Sequence, residues 1–174
     1  MTRKWILGAF VIVCLAVVTS CVCEPCDEGM RNKELVAESF AVVEAGEFDK
    51  LDQFIAADYV RHCQATPDIE VTSLELFKEF LLRDRGTVSD PKIVLHRLVA
   101  EDDLVAFWVT YSGVQDGPMG PFPATGKRME LDCAGIHRIA DGKVVETWIT
   151  WDNLSALTQL GLFPPPAPEE ATPE

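Results

Sequence analysis

The sequence predicts an α+β domain, with helices first and packed on one face of an antiparallel sheet built from hairpins. Three observations carry this reading. Apolar residues recur at helical spacing through the first half of the chain. From Lys92 onward they fall in strand-length runs separated by short acidic or Asp-Gly turns. Hydrophobic residues make up 48% of 174 residues, enough to bury the core of one ordinary domain.

The elements follow in order. Asn32 is placed to cap a helix running to about Ala45, with Val36, Phe40 and Val43 on one apolar face. Ala45-Gly46-Glu47 stops it. Asp49 to about Ala56 reads as a shorter helix carrying Leu51, Phe54 and Ile55, and Asp58 to His62 as a short extended piece. Thr72 or Ser73 caps a third helix to about Arg85, with Leu74, Phe77, Phe80 and Leu81 inward. Lys92–Ala100 and Leu104–Gly113 flank the turn Glu101-Asp102-Asp103 as a hairpin. Gly117–Gly126 is a Gly/Pro-rich loop. Lys127–Ile139 and Lys143–Asp152 form a second hairpin around Asp141-Gly142. Asn153–Leu160 is a last short helix. Residues 164–174 hold five prolines and read as a disordered tail. A curved sheet folded over its helices leaves a pocket between them, the natural place for a ligand.

The N-terminus reads differently. Arg3 and Lys4 precede an apolar run from Trp5 to Val18, then Thr19, Ser20 and Cys21. A charged start, an apolar middle and small residues at the cut make a secretory signal, and the run is short for a membrane span. Val18-Thr19-Ser20-Cys21 resembles a bacterial lipobox, which makes Cys21 the lipidation site and the mature product a cell-envelope lipoprotein. Val22 in place of Asp leans toward the outer membrane or cell surface. An ordinary signal peptide or an uncleaved anchor is the plainer alternative. The organisation is thus a signal at 1–20, a tether at 21–29, a folded domain at 30–163 and the tail at 164–174.

The formal net charge is −13, and the chain without residues 1–20 has 13 basic and 28 acidic residues, or −15. Such a balance repels phosphate backbones and anionic lipid headgroups, which excludes nucleic acid as a partner and leaves the lipid itself to hold the membrane. Export permits disulfides among Cys23, Cys26, Cys63 and Cys133. Cys23 and Cys26 sit in the tether rather than after a strand, which argues against a redox motif.

The chemistry-bearing candidates are Asp152, His137 and His62. Asp152 ends an apolar strand beside two tryptophans, and a buried carboxyl with a raised pKa exchanges protons near neutrality. The same residue stands where a helix begins, and Asp is a favoured N-cap. If the Asp141-Gly142 turn sets the register, strand positions summing to about 283 oppose one another, bringing His137 near Glu146. Each histidine alone suits a structural role as well. His96 reads as exposed or structural. No metal-ligand spacing such as H-x-E or H-E-x-x-H occurs, and no metal is expected.

The residues also carry a family resemblance. Asn32-Lys33-Glu34-Leu35-Val36, Ala45-Gly46-Glu47-Phe48-Asp49-Lys50-Leu51-Asp52, Tyr59-Val60-Arg61-His62, Pro123-Ala124-Thr125-Gly126-Lys127-Arg128, and the stretch from Ile136 to Trp148 followed by Asp152-Asn153-Leu154 resemble the SnoaL-like polyketide and ester cyclases. The resemblance implies a nuclear transport factor two-like fold: a cone-shaped, curved antiparallel sheet wrapped around N-terminal helices, with a deep apolar pocket. It implies cofactor-free ring closure of aldol type on a hydrophobic polyketide-like ester, and often a homodimer through the sheet. Carried over residue by residue, Asp152 is the acid/base, His137 a pocket histidine and His62 a histidine near the pocket mouth; in the enzymatic reading the two histidines hold the oxygens, and Trp148 and Phe107 line the pocket. The place directly after Trp148, acidic in some members, is Ile149 here. The alternative is a non-catalytic, membrane-anchored lipoprotein that holds an apolar small molecule in the same pocket.

Overall fold

The structure, a computed structural model, describes residues 24–163. Helix α1 spans Glu24–Ala45 and is followed by a 3-10 turn at Phe48–Gln53 and strand β1 at Ile55–Cys63. Helix α2 is Leu74–Thr87. The strands β2 (Val88–Glu101), β3 (Leu104–Gln115), β4 (Lys127–Ala140) and β5 (Lys143–Trp151) follow, and helix α3 (Asn153–Leu160) closes the described chain. Among these residues no helix is long and apolar enough to cross a membrane.

Helix α1 ends at the expected residue but begins at Glu24, eight residues before the expected cap. It therefore takes in most of the stretch read as tether. Asn32 is buried inside the helix instead of capping it. Ser73 does cap α2, its side chain accepting from the Leu76 amide at 3.2 Å. The Asp49–Ala56 helix is the 3-10 turn alone, because Ile55 already belongs to β1.

The five strands form one curved sheet in the order β1-β5-β4-β3-β2. Neighbours among β2 to β5 are antiparallel, joined by tight turns at Asp102 and at Asp141-Gly142, all three residues with positive φ. The expected all-antiparallel sheet is corrected at one edge: β1 pairs parallel with β5. A chain that leaves β1 through α2 and three more strands returns beside it in the same direction, as parallel pairing requires a long crossover.

One face of the sheet is covered. Val36 and Phe40 of α1, Leu74 and Leu81 of α2, and Ala156 and Leu160 of α3 pack against Tyr59, Val105, Phe107, Val109, Leu131, Ile139 and Val144. Gly135 on β4 sits opposite Phe107 on β3. A Cβ there would lie 2.4 Å from the Phe107 ring, so only glycine leaves the ring its place. Among the described residues no helix lies over the other face.

Candidate active site

The β4–β5 register decides which residues meet. Beside the turn, Ala140 pairs with Lys143 and Ile139 with Val144, as positions summing to 283 should. Val145 then drops out of the ladder, and from Arg138↔Glu146 onward the pairs sum to 284. One unpaired residue reverses the inside and outside of everything beyond it. His137 therefore faces Thr147, not Glu146, and Trp148 and Glu146 point away from the helices.

His137 is buried on the inner face. Its Nδ1 shares a hydrogen bond with Thr147 Oγ1 at 2.7 Å, and its ring lies against Phe107 (centroids 4.5 Å apart) and Phe40 (5.8 Å). Its Nε2 has no partner. Desolvation lowers its pKa to about 3, so the imidazole is neutral. Phe107 thus faces the interior as expected, filling it rather than lining an open space.

His62 and Trp148 are on the opposite face. Their rings stack at 5.4 Å, and Arg138 lies over the other part of the indole, 5.2 Å from its centroid. Glu146 binds both neighbours, His62 Nε2 at 2.8 Å and Arg138 Nη1 at 2.9 Å. The expectation that His62 and Trp148 line the pocket with His137 is thereby corrected. The sheet itself separates them.

Asp152 is exposed and caps α3, its Oδ1 accepting from the amides of Leu154 (2.9 Å) and Ser155 (3.1 Å). It meets neither histidine. Of the two readings open for this residue, capping is the one its geometry shows. Ile149, by contrast, pairs with Gly135 and faces inward. His96 is the bulged residue of β2, exposed and sharing a hydrogen bond with Thr110 at 2.7 Å.

The inner-face carboxyl is one the sequence reading missed: Asp84, near the end of α2. Tyr111 Oη of β3 donates to its Oδ2 at 2.6 Å. Burial raises the Asp84 pKa, outweighing the Tyr111 hydrogen bond and the charges of Arg85 and Arg61, which all act the other way. Tyr111 is pushed up in turn, by burial and by Asp84. Arg85 is anchored by donating to the Val43 and Glu44 carbonyls at the end of α1, 2.5 Å each. Arg61 of β1 reaches toward the same region, as does Cys133 of β4, whose thiol is pushed up to about 11 chiefly by burial. Cys63 and Cys133 are both free thiols. The pairing considered for Cys23 and Cys26, and the lipidation site Cys21, lie outside what the structure describes. Only a helical period of 3.6, which puts Asp84 on the same face as Phe77, Phe80 and Leu81, could have pointed to it.

The crevice beside Asp84 and Tyr111, lined also by Leu81, Arg85, Pro91 and Ile93, holds about 10 Å³. That is room for about one water. Pockets for larger ligands run to roughly 300 Å³ or more, so side chains there must move before a polyketide-sized molecule enters. Among the described residues no three His, Cys, Asp or Glu side chains are grouped to hold a metal.

The sequence model of the SnoaL-like polyketide cyclases matches residues 34–160. The chain belongs to this family. Among solved structures similar to this SnoaL-like chain is TsrD from Streptomyces laurentii, 30% identical, with a TM-score of 0.69 over 77% of this chain and 97% of that one. IdmH from Streptomyces antibioticus is 23% identical with a TM-score of 0.67, covering 75% and 98%. A protein of Jannaschia sp. CCS1 assigned as a SnoaL-like polyketide cyclase is 20% identical with a TM-score of 0.70, covering 78% and 95%. The last two establish the fold alone. No curated protein matches the chain. In this SnoaL-like domain β5 turns Ile149, not a carboxyl, to the inner face, and α2 brings the carboxyl of Asp84 there.

Proposed function

We propose that this SnoaL-like protein is a cofactor-free acid/base catalyst that closes a ring in a polyketide-like ester by an aldol-type reaction, with Asp84 as the proton-handling group. The observation that carries the reading is a half-buried inner-face carboxyl, raised in pKa and hydrogen-bonded by Tyr111, in a chain of cyclase family. An ionised Asp84 takes the proton alpha to a carbonyl. The acid then returns it to the alkoxide that forms when the new carbon–carbon bond closes. Burial brings the carboxyl closer to the pH at which it works, and the Tyr111 hydroxyl steadies its ionised form.

His137 does not share these atoms. Tyr111 and Val105, its opposite number across β3, are six residues apart, roughly 20 Å along a strand. His137 pairs with Val105, so it serves at the other end of the interior.

Solvent-deuterium exchange into an aromatic β-keto methyl ester, read by NMR against the buffer rate, tests the assignment. Asp84→Asn should lose roughly a hundredfold or more of the enzyme-catalysed exchange, while Asp152→Asn, which keeps the cap, should retain it. Wild-type exchange in Asp84→Asn would sink the reading. Because the working form is the carboxylate, the rate should climb with pH through a value above the ordinary carboxyl range.

We further propose that the protein is exported as a lipoprotein acylated on Cys21, a reading supported by the charged start, the apolar run and Val18-Thr19-Ser20-Cys21. Metabolic labelling with a fatty-acid analogue should mark the wild type and not Cys21→Ser.

A further inference from the structure

Arg61 is held in an unusual way. It is on the inner face of β1, opposite Thr147, and only 7% exposed. Its guanidinium carbon lies 4.5 Å from the Phe80 ring centroid and 5.6 Å from that of Trp151. Among the described residues its one side-chain hydrogen bond runs from Nη1 to Thr66 Oγ1 at 3.4 Å, near the long limit for such a bond. It forms an ion pair with no described acidic side chain. The half-buried charges near it have close partners: Asp84 has Tyr111, and Arg85 has two carbonyls.

Buried guanidinium groups are normally matched by anions, because a charge withdrawn from water without a partner is costly. Stacking on aromatic rings occupies the faces of the guanidinium and leaves its rim of five donors free. That rim fits two oxygens in one plane. The rings that flank it, Phe80 and Trp151, are aromatic and suit an apolar body on whatever the rim holds. The charge of Arg61 is felt at Asp84 and at Cys133, which places it in the neighbourhood of the carboxyl.

We propose that Arg61 is an anion-binding residue that takes a planar, singly charged oxyanion on an apolar ligand, a carboxylate or the enolate of a 1,3-dicarbonyl. The inference rests on the site assigned above and names the class of molecule it takes. The overall charge of −13 works against it, since the chain as a whole repels anions. Any preference for an anion must then be local.

Benzoate and benzamide have nearly the same size and shape and differ in charge. Titrated into the full chain and followed by the tryptophan indole NMR signals, with Trp151→Phe identifying that of Trp151, benzoate should bind at least tenfold tighter than benzamide and move the Trp151 signal. Arg61→Met, of similar length and apolar, should bind both equally. Arg61→Lys keeps the charge without the fork and should fall between. Equal affinity in the wild type, binding of neither probe, or a preference surviving in Arg61→Met overturns the proposal. The readout involves no turnover. A benzoate preference with an unaffected Asp84→Asn rate would retire the catalytic reading and leave this one standing.

Discussion

At the scale of single residues, His137 shows how a neutral imidazole stabilises and endangers a fold together. Its pKa falls from 6.5 to about 3 because the charged form would sit between Phe40 and Phe107 with Nε2 unpartnered. A folded-state value below the unfolded one contributes stability that is whole above the unfolded pKa. It is lost as pH falls from about 6.5 toward 3. By pH 4 the loss from this one group should be on the order of 3 kcal/mol. Urea unfolding at pH 7 and pH 4 checks this: the wild type should lose that much more than His137→Phe over the same interval. An equal pH dependence in both proteins would assign acid sensitivity to carboxylates instead.

At the scale of elements, α3 depends on its start. Asp152→Ala should cost about 1 kcal/mol by leaving the Leu154 and Ser155 amides unmatched, and Asp152→Asn much less. Thermal melts of the two variants distinguish them. Gly135→Ala should be the harsher change, roughly 2 kcal/mol or more, because its methyl group meets the Phe107 ring and the Trp148 carbonyl at 2.4 Å. The elements were largely legible in the sequence, since apolar period and turn chemistry are local properties: Ser73, Asp141-Gly142 and the whole of α3 could be placed from their neighbours. The partners were not. Parallel pairing of β1 with β5 joins residues some 85 positions apart, as in His62↔Trp148. The bulge at Val145 leaves no mark in the residue types around it, yet it moved Trp148 off the proposed site. Asp84 was hidden for a related reason. An acidic residue near a helix end looks like solvated surface until the strand carrying Tyr111 is laid beside it.

At the scale of the molecule, the helix-free face of the sheet bears a row running Val99, Ala106, Ile136, Trp148 and His62 across all five strands, with Trp108 beside it, 46% exposed. Apolar rows of this kind mark association surfaces, and we propose this one as the face through which two copies of the chain would pair. Ile136→Glu should shift sedimentation toward the monomer; an unchanged coefficient in both proteins would leave the face without that role. One residue on this sheet has a different kind of consequence. A three-nucleotide deletion removing Val145 would leave every remaining side chain in β5 chemically unchanged. It would also leave their faces unchanged, because Val144 and Glu146 would become neighbours and the pairs Ile139–Val144 and Arg138–Glu146 would follow one another without a bulge. Substitution scanning could never reveal that tolerance, because it is written in the length of the chain and not in its letters.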